Sequence, residues 1–207
     1  MRVFKLAAAV TMAAGLLIGP VAGAASASAA TRAPNETSQV WLTGGDTSVT
    51  TAPGIAAALL GHGIVPLATP PGTAQIGGGG VSVTFTFPVT GGWLNLATLH
   101  GTIYHQGGIL FLDPATGQQI QVSNFVISVH QGMLTAEVNG NPAVRVPLLR
   151  LSLAHAAIRA GRHYVQVSGI VLTLTAVAAS ALNATFSTTL FTAGLELGTA
   201  STLLRFW

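Results

Sequence analysis

Two histidines and a tyrosine lie close together in the segment HGTIYHQGGILFL, residues 100–112. Imidazole and phenol groups bind metal ions and haem iron, so His100, Tyr104 and His105 are candidate ligand-binding residues. Alternation along a strand places His100 and Tyr104 on one face and His105 on the opposite, apolar face. Two interpretations stay open: a ligand site on the polar face, or a structural hairpin with His105 in the core and Tyr104 on the surface.

The Gly107–Gly108 pair in this segment favours a tight turn. The turn would make residues 104–106 and 109–111 adjacent strands of a hairpin. The second strand would then carry apolar side chains on both faces, which is typical of a covered strand or a contact surface. We therefore predict a self-association or partner surface near Tyr104.

Arginines are concentrated in one stretch of 18 positions, residues 145–162. Arg145 and Arg150 share a strand face only if Pro147 marks a bulge. In that case their guanidinium groups would form a face for an anionic ligand, such as teichoic acid or a haem propionate. The alternative is a set of solvated edge charges that discourage strand pairing.

Catalytic patterns are missing from the sequence. The chain has no cysteine, so disulfides, thiol nucleophiles and thiolate metal sites are excluded. Its five acidic residues are scattered, and no serine stands in the G-x-S-x-G pattern of an exposed nucleophile. No two histidines have metal-ligand spacing together with a carboxylate. We predict no catalytic residues, no metal site and no enzyme activity.

The first 30 residues have the three-part pattern of a secretory signal peptide. Arg2 and Lys5 precede the apolar residues 6–18, and small residues follow up to position 30. The apolar run is shorter than the ~20 residues of a membrane span. We predict a signal peptide over 1–30, no integral membrane segment after its cleavage, and a secreted protein that is free or loosely associated with the cell wall.

Removal of the signal peptide lowers the net charge from +3 to +1, because two of the eight basic residues precede position 31 and none of the five acidic ones does. Proteins that bind nucleic acid need a basic face, so that class is excluded. The surface must consist mainly of uncharged polar groups, which favours contacts with a second copy or with a cell-wall component.

Apolar and polar residues alternate with a period of two from residue 81 onward. VSVTFTF (81–87) is typical of a half-buried strand, and similar segments follow, separated by turn sequences such as DPATG and NGNP. Alanine-rich stretches at 53–61 and 176–185 predict two short helices, with Thr51 and Thr175 as N-caps. The pattern predicts an all-β protein, an antiparallel β-sandwich such as the immunoglobulin-like type, with two short alanine-rich helices.

Domain boundaries follow from the same pattern. Residues 31–46 mix polar residues, proline and glycine around a short apolar island. We predict that they form a flexible lead-in, with some edge pairing near Trp41. Residues 47–207 would then form a single β-sandwich domain.

Several segments together resemble a known family: GTIYHQGGILFL (101–112), VSNFVISVHQGMLTAEVNG (122–140) and VSGIVLTLTAVAASALNATF (167–186). They are similar to the secreted actinobacterial proteins related to the Htaa, or haem-transport-associated, domain. The resemblance implies an Htaa-like antiparallel sandwich and haem capture by a tyrosine that binds the iron and a histidine that hydrogen-bonds the tyrosine. His105 matches that histidine. The ligand tyrosine lies upstream in haem-binding members, and this chain has no tyrosine between Thr31 and Ile103.

The residues thus favour an exported, non-enzymatic binding or structural module of the cell envelope or extracellular space, without a cofactor. The first alternative is a haem-binding, haem-transport-associated protein, with haem as its ligand. A second alternative is an outer-membrane-type β-barrel, because alternating strands end on the aromatic sequence TLLRFW.

Overall fold

A computed structural model describes residues 38–78 and 82–207, so the predicted signal peptide lies outside the described residues. The strands and helices follow in chain order: β1 Gln39–Thr51, α1 Ile55–Gly61, β2 Val65–Thr69, β3 Thr73–Gly77, β4 Ser82–Asn95, β5 Gly101–His105, β6 Gly108–Leu112, β7 Gln119–Ser128, β8 Met133–Val138, β9 Asn141–Ser152, β10 Ala157–Ala160, β11 Tyr164–Leu174, α2 Ala176–Phe186 and β12 Glu196–Phe206. Neither helix is long and apolar enough to cross a membrane.

The strands of the described residues form one antiparallel sheet. Eight of them pair in the order β7-β5-β4-β1-β12-β11-β9-β8, and β8 pairs with β7 again, which closes a barrel-like ring. The remaining strands extend the ring, with β6 beside β7, β2 beside β6, β3 beside β4, and β10 beside β11. An eight-stranded ring has an interior that side chains can fill or that can hold one small ligand.

The predicted all-β class with two short helices is confirmed. The pairings join the strands into a single ring and do not divide them into two sheets. The sandwich arrangement is therefore not confirmed. The lead-in predicted for residues 31–46 ends earlier than expected, because β1 already begins at Gln39. Residues 31–37 lie outside the described residues.

Glycines permit the sharp bends that closure of the ring requires. Gly45 in β1 and Gly92 in β4 both have φ of 127°, next to irregularities in the strand register. A Cβ on Gly45 would overlap the carbonyl oxygen of Leu203, and one on Gly92 would overlap that of Thr102. Bulges of this kind increase local twist, and here only glycine fits between the paired strands.

The two helices lie where the alanine-rich stretches predict them. Thr175 caps α2 as expected, since its side chain accepts a hydrogen bond from the Ala178 N–H at 3.2 Å. The prediction for Thr51 is wrong. Gly54 occupies the N-cap of α1 without a side-chain bond, and the Thr51 hydroxyl accepts from the Val83 N–H instead.

Inward-facing strand residues and the two helices build the core. The alternation of apolar and polar residues predicts burial at nine large apolar strand positions; seven of them are buried, and the other two, Leu110 and Leu151, are half-buried. The buried seven are Phe85, Phe87, Phe125, Ile127, Leu149, Leu172 and Leu174.

The hairpin predicted across Gly107–Gly108 is wrong. β5 and β6 do not pair with each other; both pair with β7, where Tyr104 faces Val126 and Gly108 faces Ser123. Gly107, with φ of 87°, redirects the chain without reversing it, and its carbonyl accepts the Asn124 N–H at 2.9 Å. The ten-residue β7 is long enough to form backbone hydrogen bonds with both short strands.

Candidate ligand-binding site

His105 points into the closed sheet. β5 alternates so that Ile103 and His105 face inward and Tyr104 faces outward. The side chain of His105 is only 4% exposed. Burial lowers the pKa of His105 to about 4, and the nearby Phe125 backbone partly opposes this shift. The imidazole is therefore neutral at physiological pH.

A chain of buried hydroxyl groups extends from His105. Its Nε2 atom lies 2.8 Å from the Thr47 hydroxyl, which lies 2.7 Å from the Thr202 hydroxyl. Thr202 in turn donates to the Asp46 carbonyl at 3.4 Å. The His105 Nδ1 atom has no hydrogen-bond partner of ordinary geometry, although it lies near the Phe125 backbone. The chain joins β5, β1 and β12 across the interior.

Tyr104 lies on the other side of the sheet from His105. Its side chain is 46% exposed, and across the strands it faces Gly91 and Val126. The phenol and the imidazole of the YH pair therefore cannot act on one ligand. The position of His105 agrees with the core interpretation of the segment.

His100 precedes β5 and is paired with a histidine that the sequence did not single out. Its ring centroid lies 5.1 Å from that of His130, with the two planes tilted by 48°. Both side chains are exposed. His130 Nδ1 lies 3.4 Å from the Ser128 hydroxyl. Thus the turn between β7 and β8 brings together two imidazoles that are 30 positions apart in the chain.

His130 of this pair lines an apolar cavity, here called the barrel cavity, and the His100 ring lies next to it. The cavity has a volume of about 410 Å³, and the turn residues His130, Gln131 and Gly132 form one part of its wall. Thr47 and Thr202 form part of its wall, whereas His105 lies behind them. Aliphatic side chains make up most of the remaining wall: Leu94, Leu99, Ile103, Ile127, Val129, Leu134, Leu151, Leu153, Ile158, Val165, Val167, Ile170, Leu172 and Leu204.

Arg145 and Arg150 share the outer face of β9, because the register between β8 and β9 shifts at Pro147 as a bulge would require. Their partners on β8 are four residues apart, which separates the two side chains by roughly 13 Å along the strand. Arg145 is already engaged, with a salt bridge of 2.9 Å to Glu137 and a hydrogen bond of 2.8 Å to the Asn124 carbonyl. The two arginines therefore do not converge on one anion.

Two residues of this site escaped the sequence analysis, Thr47 and His130. Neither belongs to a local motif, since their partners are brought close only by the sheet pairings. Within the parts of the chain that the structure describes, no three His, Asp or Glu side chains converge to hold a metal ion.

Comparison with known proteins places the fold. No family model matches the chain, and no curated protein matches it in sequence. Among solved structures, the C-terminal domain of HtaA from Corynebacterium glutamicum superposes with a TM-score of 0.56 at 17% identity, over 81% of this chain and 99% of that domain. The chain has an HtaA-like fold. The Htaa resemblance seen in the sequence is therefore confirmed at the level of fold.

Two further structures are similar. A domain-swapped dimer of a variant of the same HtaA domain has a TM-score of 0.50 at 19% identity, over 73% of this chain and 89% of that one. The haem-binding protein HtaB from the same organism has a TM-score of 0.43 at 12% identity, over 81% and 96% of the two chains.

Proposed function

We propose that this protein is an exported, non-catalytic binding protein of the haem-transport-associated type, with haem bound at the barrel cavity and its iron held by the His100–His130 pair. The observation that carries the proposal is the position of His130 on the wall of an apolar cavity, with the His100 ring 5.1 Å from its own. The HtaA-like fold supports it further, as does the aliphatic wall of leucine, isoleucine and valine side chains, which suits a flat, largely apolar ligand.

The tyrosine ligation that the family resemblance implies does not fit these residues. His105, which matches the family histidine, has the Thr47 hydroxyl as its hydrogen-bond partner, so no phenol stands beside it. The two tyrosines of the chain, Tyr104 and Tyr164, are both on the exposed surface. A neutral threonine hydroxyl is a poor iron ligand, and Tyr104 is on the opposite face of the sheet.

Imidazole ligation does fit. Histidine is a common ligand of haem iron, and the aliphatic wall of the barrel cavity offers apolar contacts to a porphyrin held by His130. The Nδ1 atom of His130 lies near the Ser128 hydroxyl, so we expect the lone pair of the Nε2 atom to bind the iron. When bound, the haem would supply the porphyrin absorbance by which binding is observed, and imidazole ligation of its iron would shift that absorbance; the chain supplies the imidazoles and the apolar wall.

The test is an absorbance titration of the chain without residues 1–30 against haemin. A saturable Soret shift is expected, with at least a tenfold weaker affinity in His130→Ala and in His100→Ala. His163→Ala removes an exposed histidine that is not part of the pair and should bind as the parent does. A shift that survives in the double variant His100→Ala/His130→Ala, or no shift in the parent, would contradict the proposal.

A second candidate function is self-association or contact with a cell-wall component. The exposed Trp41 and Tyr104 side chains favour it, because both lie on β-strands with aromatic rings open to solvent. The domain-swapped form of the HtaA domain shows that this fold exchanges segments in at least one variant. Sedimentation velocity of Trp41→Ser/Tyr104→Ser tests the idea, and an unchanged distribution of species would exclude this surface.

A further inference from the structure

A second cavity lies at the other end of the sheet interior and is here called the helix cavity. Its volume is about 360 Å³, and it is enclosed by the inner face of the sheet, α1, α2 and the segment 190–197. Val49 and Leu172 line both this cavity and the barrel cavity. The interior of the ring therefore contains two separate spaces that share a wall.

The helix cavity has a wall of apolar side chains over the residues that the structure describes. Among them, only Thr51 has a polar side-chain atom, and its hydroxyl already accepts the Val83 N–H at 3.0 Å. Burying a polar group without a hydrogen bond is unfavourable. Whatever part of a ligand enters this space must consequently be hydrocarbon.

The size of the cavity is unusual for a space without a function. Protein interiors are packed as densely as organic crystals and contain few voids larger than a water molecule. An engineered apolar cavity of ~150 Å³ already binds benzene, and this one is more than twice that volume. The small side chains of Ala56, Ala178 and Ala181 contribute to the open space.

The cavity reaches the surface beside α2. Two residues of the cavity wall are exposed to solvent: Ala181 on α2 and Val144 on β9, which is 44% exposed. The neighbouring Arg145 forms a salt bridge with Glu137, so its guanidinium group is not free to bind an anionic head group. A polar head group would therefore remain in water between Ala181 and Val144.

We infer that the helix cavity binds the hydrocarbon chain of a single-chain amphiphile, with the chain inside and the head group at the mouth. A cavity of this volume suits one chain, and its wall does not distinguish a free fatty acid from a lysolipid. This site is separate from the barrel cavity and does not depend on haem binding there.

The test uses the fluorescent fatty acid cis-parinaric acid with the chain lacking residues 1–30. Saturable fluorescence enhancement is expected, with displacement by palmitic acid and by palmitoyl-lysophosphatidylcholine. Displacement by one and not the other identifies the source of the chain. Ala181→Trp, which places a large ring at the mouth, should weaken binding at least tenfold. Ala184→Trp introduces the same ring at an exposed position of α2 outside the cavity and should have no effect.

Circular dichroism and thermal melting of both variants establish that the fold is retained. Absence of saturable binding, or equal binding by the Ala181 and Ala184 variants, would overturn the inference. Competition between haemin and cis-parinaric acid would also overturn it, because it would mean one shared site. Haemin binding that fails while cis-parinaric acid binds normally would instead refute the proposed function and leave this site intact.

Discussion

The buried imidazole of His105 predicts a specific loss of stability in acid. Its pKa is lowered from 6.5 to about 4, mainly because burial disfavours the charged form. Between these two values the unfolded chain binds a proton at this position and the folded protein does not. Stability therefore falls as the pH drops from about 6.5 towards 4, and this contribution is constant above that window.

The size of the effect follows from the shift in pKa. Each pKa unit corresponds to about 1.4 kcal/mol, so the difference between pH 7.5 and pH 4.5 amounts to about 2.5 kcal/mol of unfolding free energy. Urea denaturation at the two pH values measures it. His105→Gln keeps a side chain that can hydrogen-bond Thr47 but cannot titrate, so its loss of stability in acid should be about 2.5 kcal/mol smaller than that of the parent.

Comparing the two proteins removes the contributions of all other ionisable groups, because the two proteins have these groups in common. Equal losses in parent and variant would refute the argument, because His105 would then be solvated or protonated in the folded state. A variant that is destabilised equally at both pH values would show a packing role and no linkage to protons.

Three further changes test the fold and the site. Leu172 is 1% exposed and lies between the two cavities. Leu172→Ala should lower the free energy of unfolding, measured by urea denaturation, by about 3–5 kcal/mol, because the neighbouring side chains cannot fill the additional space. An effect below about 1 kcal/mol would mean that the interior is packed differently. Gly92→Ala should lower the melting temperature far more than Gly117→Ala, because both glycines have positive φ but a Cβ meets neighbouring atoms only at Gly92. Thr47→Val removes the hydroxyl that bonds both His105 and Thr202, and it should lower the free energy of unfolding by about 1–3 kcal/mol, because buried polar groups lose a partner; an unchanged value in urea denaturation would show that these buried hydrogen bonds are not formed.

Much of the local structure was accessible from the sequence. The alternation in VSVTFTF fixed which residues of β4 face inward, and the capping role of Thr175 follows from a hydroxyl placed directly before an alanine run. The inward direction of His105 also follows from strand period alone. These features depend on residues close together in the chain, where period and turn chemistry are informative.

The partners of each strand were not accessible. A Gly-Gly pair is typical of a hairpin, yet β5 and β6 both pair with β7, because one long strand offers more hydrogen bonds than two five-residue strands offer each other. The contacts of the candidate ligand-binding site could not be predicted for the same reason. Thr47 meets His105 across 58 positions, and His100 meets His130 through the β7–β8 turn, so no local spacing records either contact.

The pairing of β1 with β12 has a consequence for the kinetics of folding. Thr47 and Thr202 are 155 positions apart, so these strands meet only after almost the whole domain has been brought together. Contacts between such distant segments slow folding, and proteins dominated by them fold in milliseconds to seconds. Until β12 arrives, β1 has a long unpaired edge beside β4, and that edge accepts any strand of suitable sequence, including β12 of another molecule. Refolding at increasing protein concentration should therefore divert the chain from closed monomers to molecules that have exchanged their last strand.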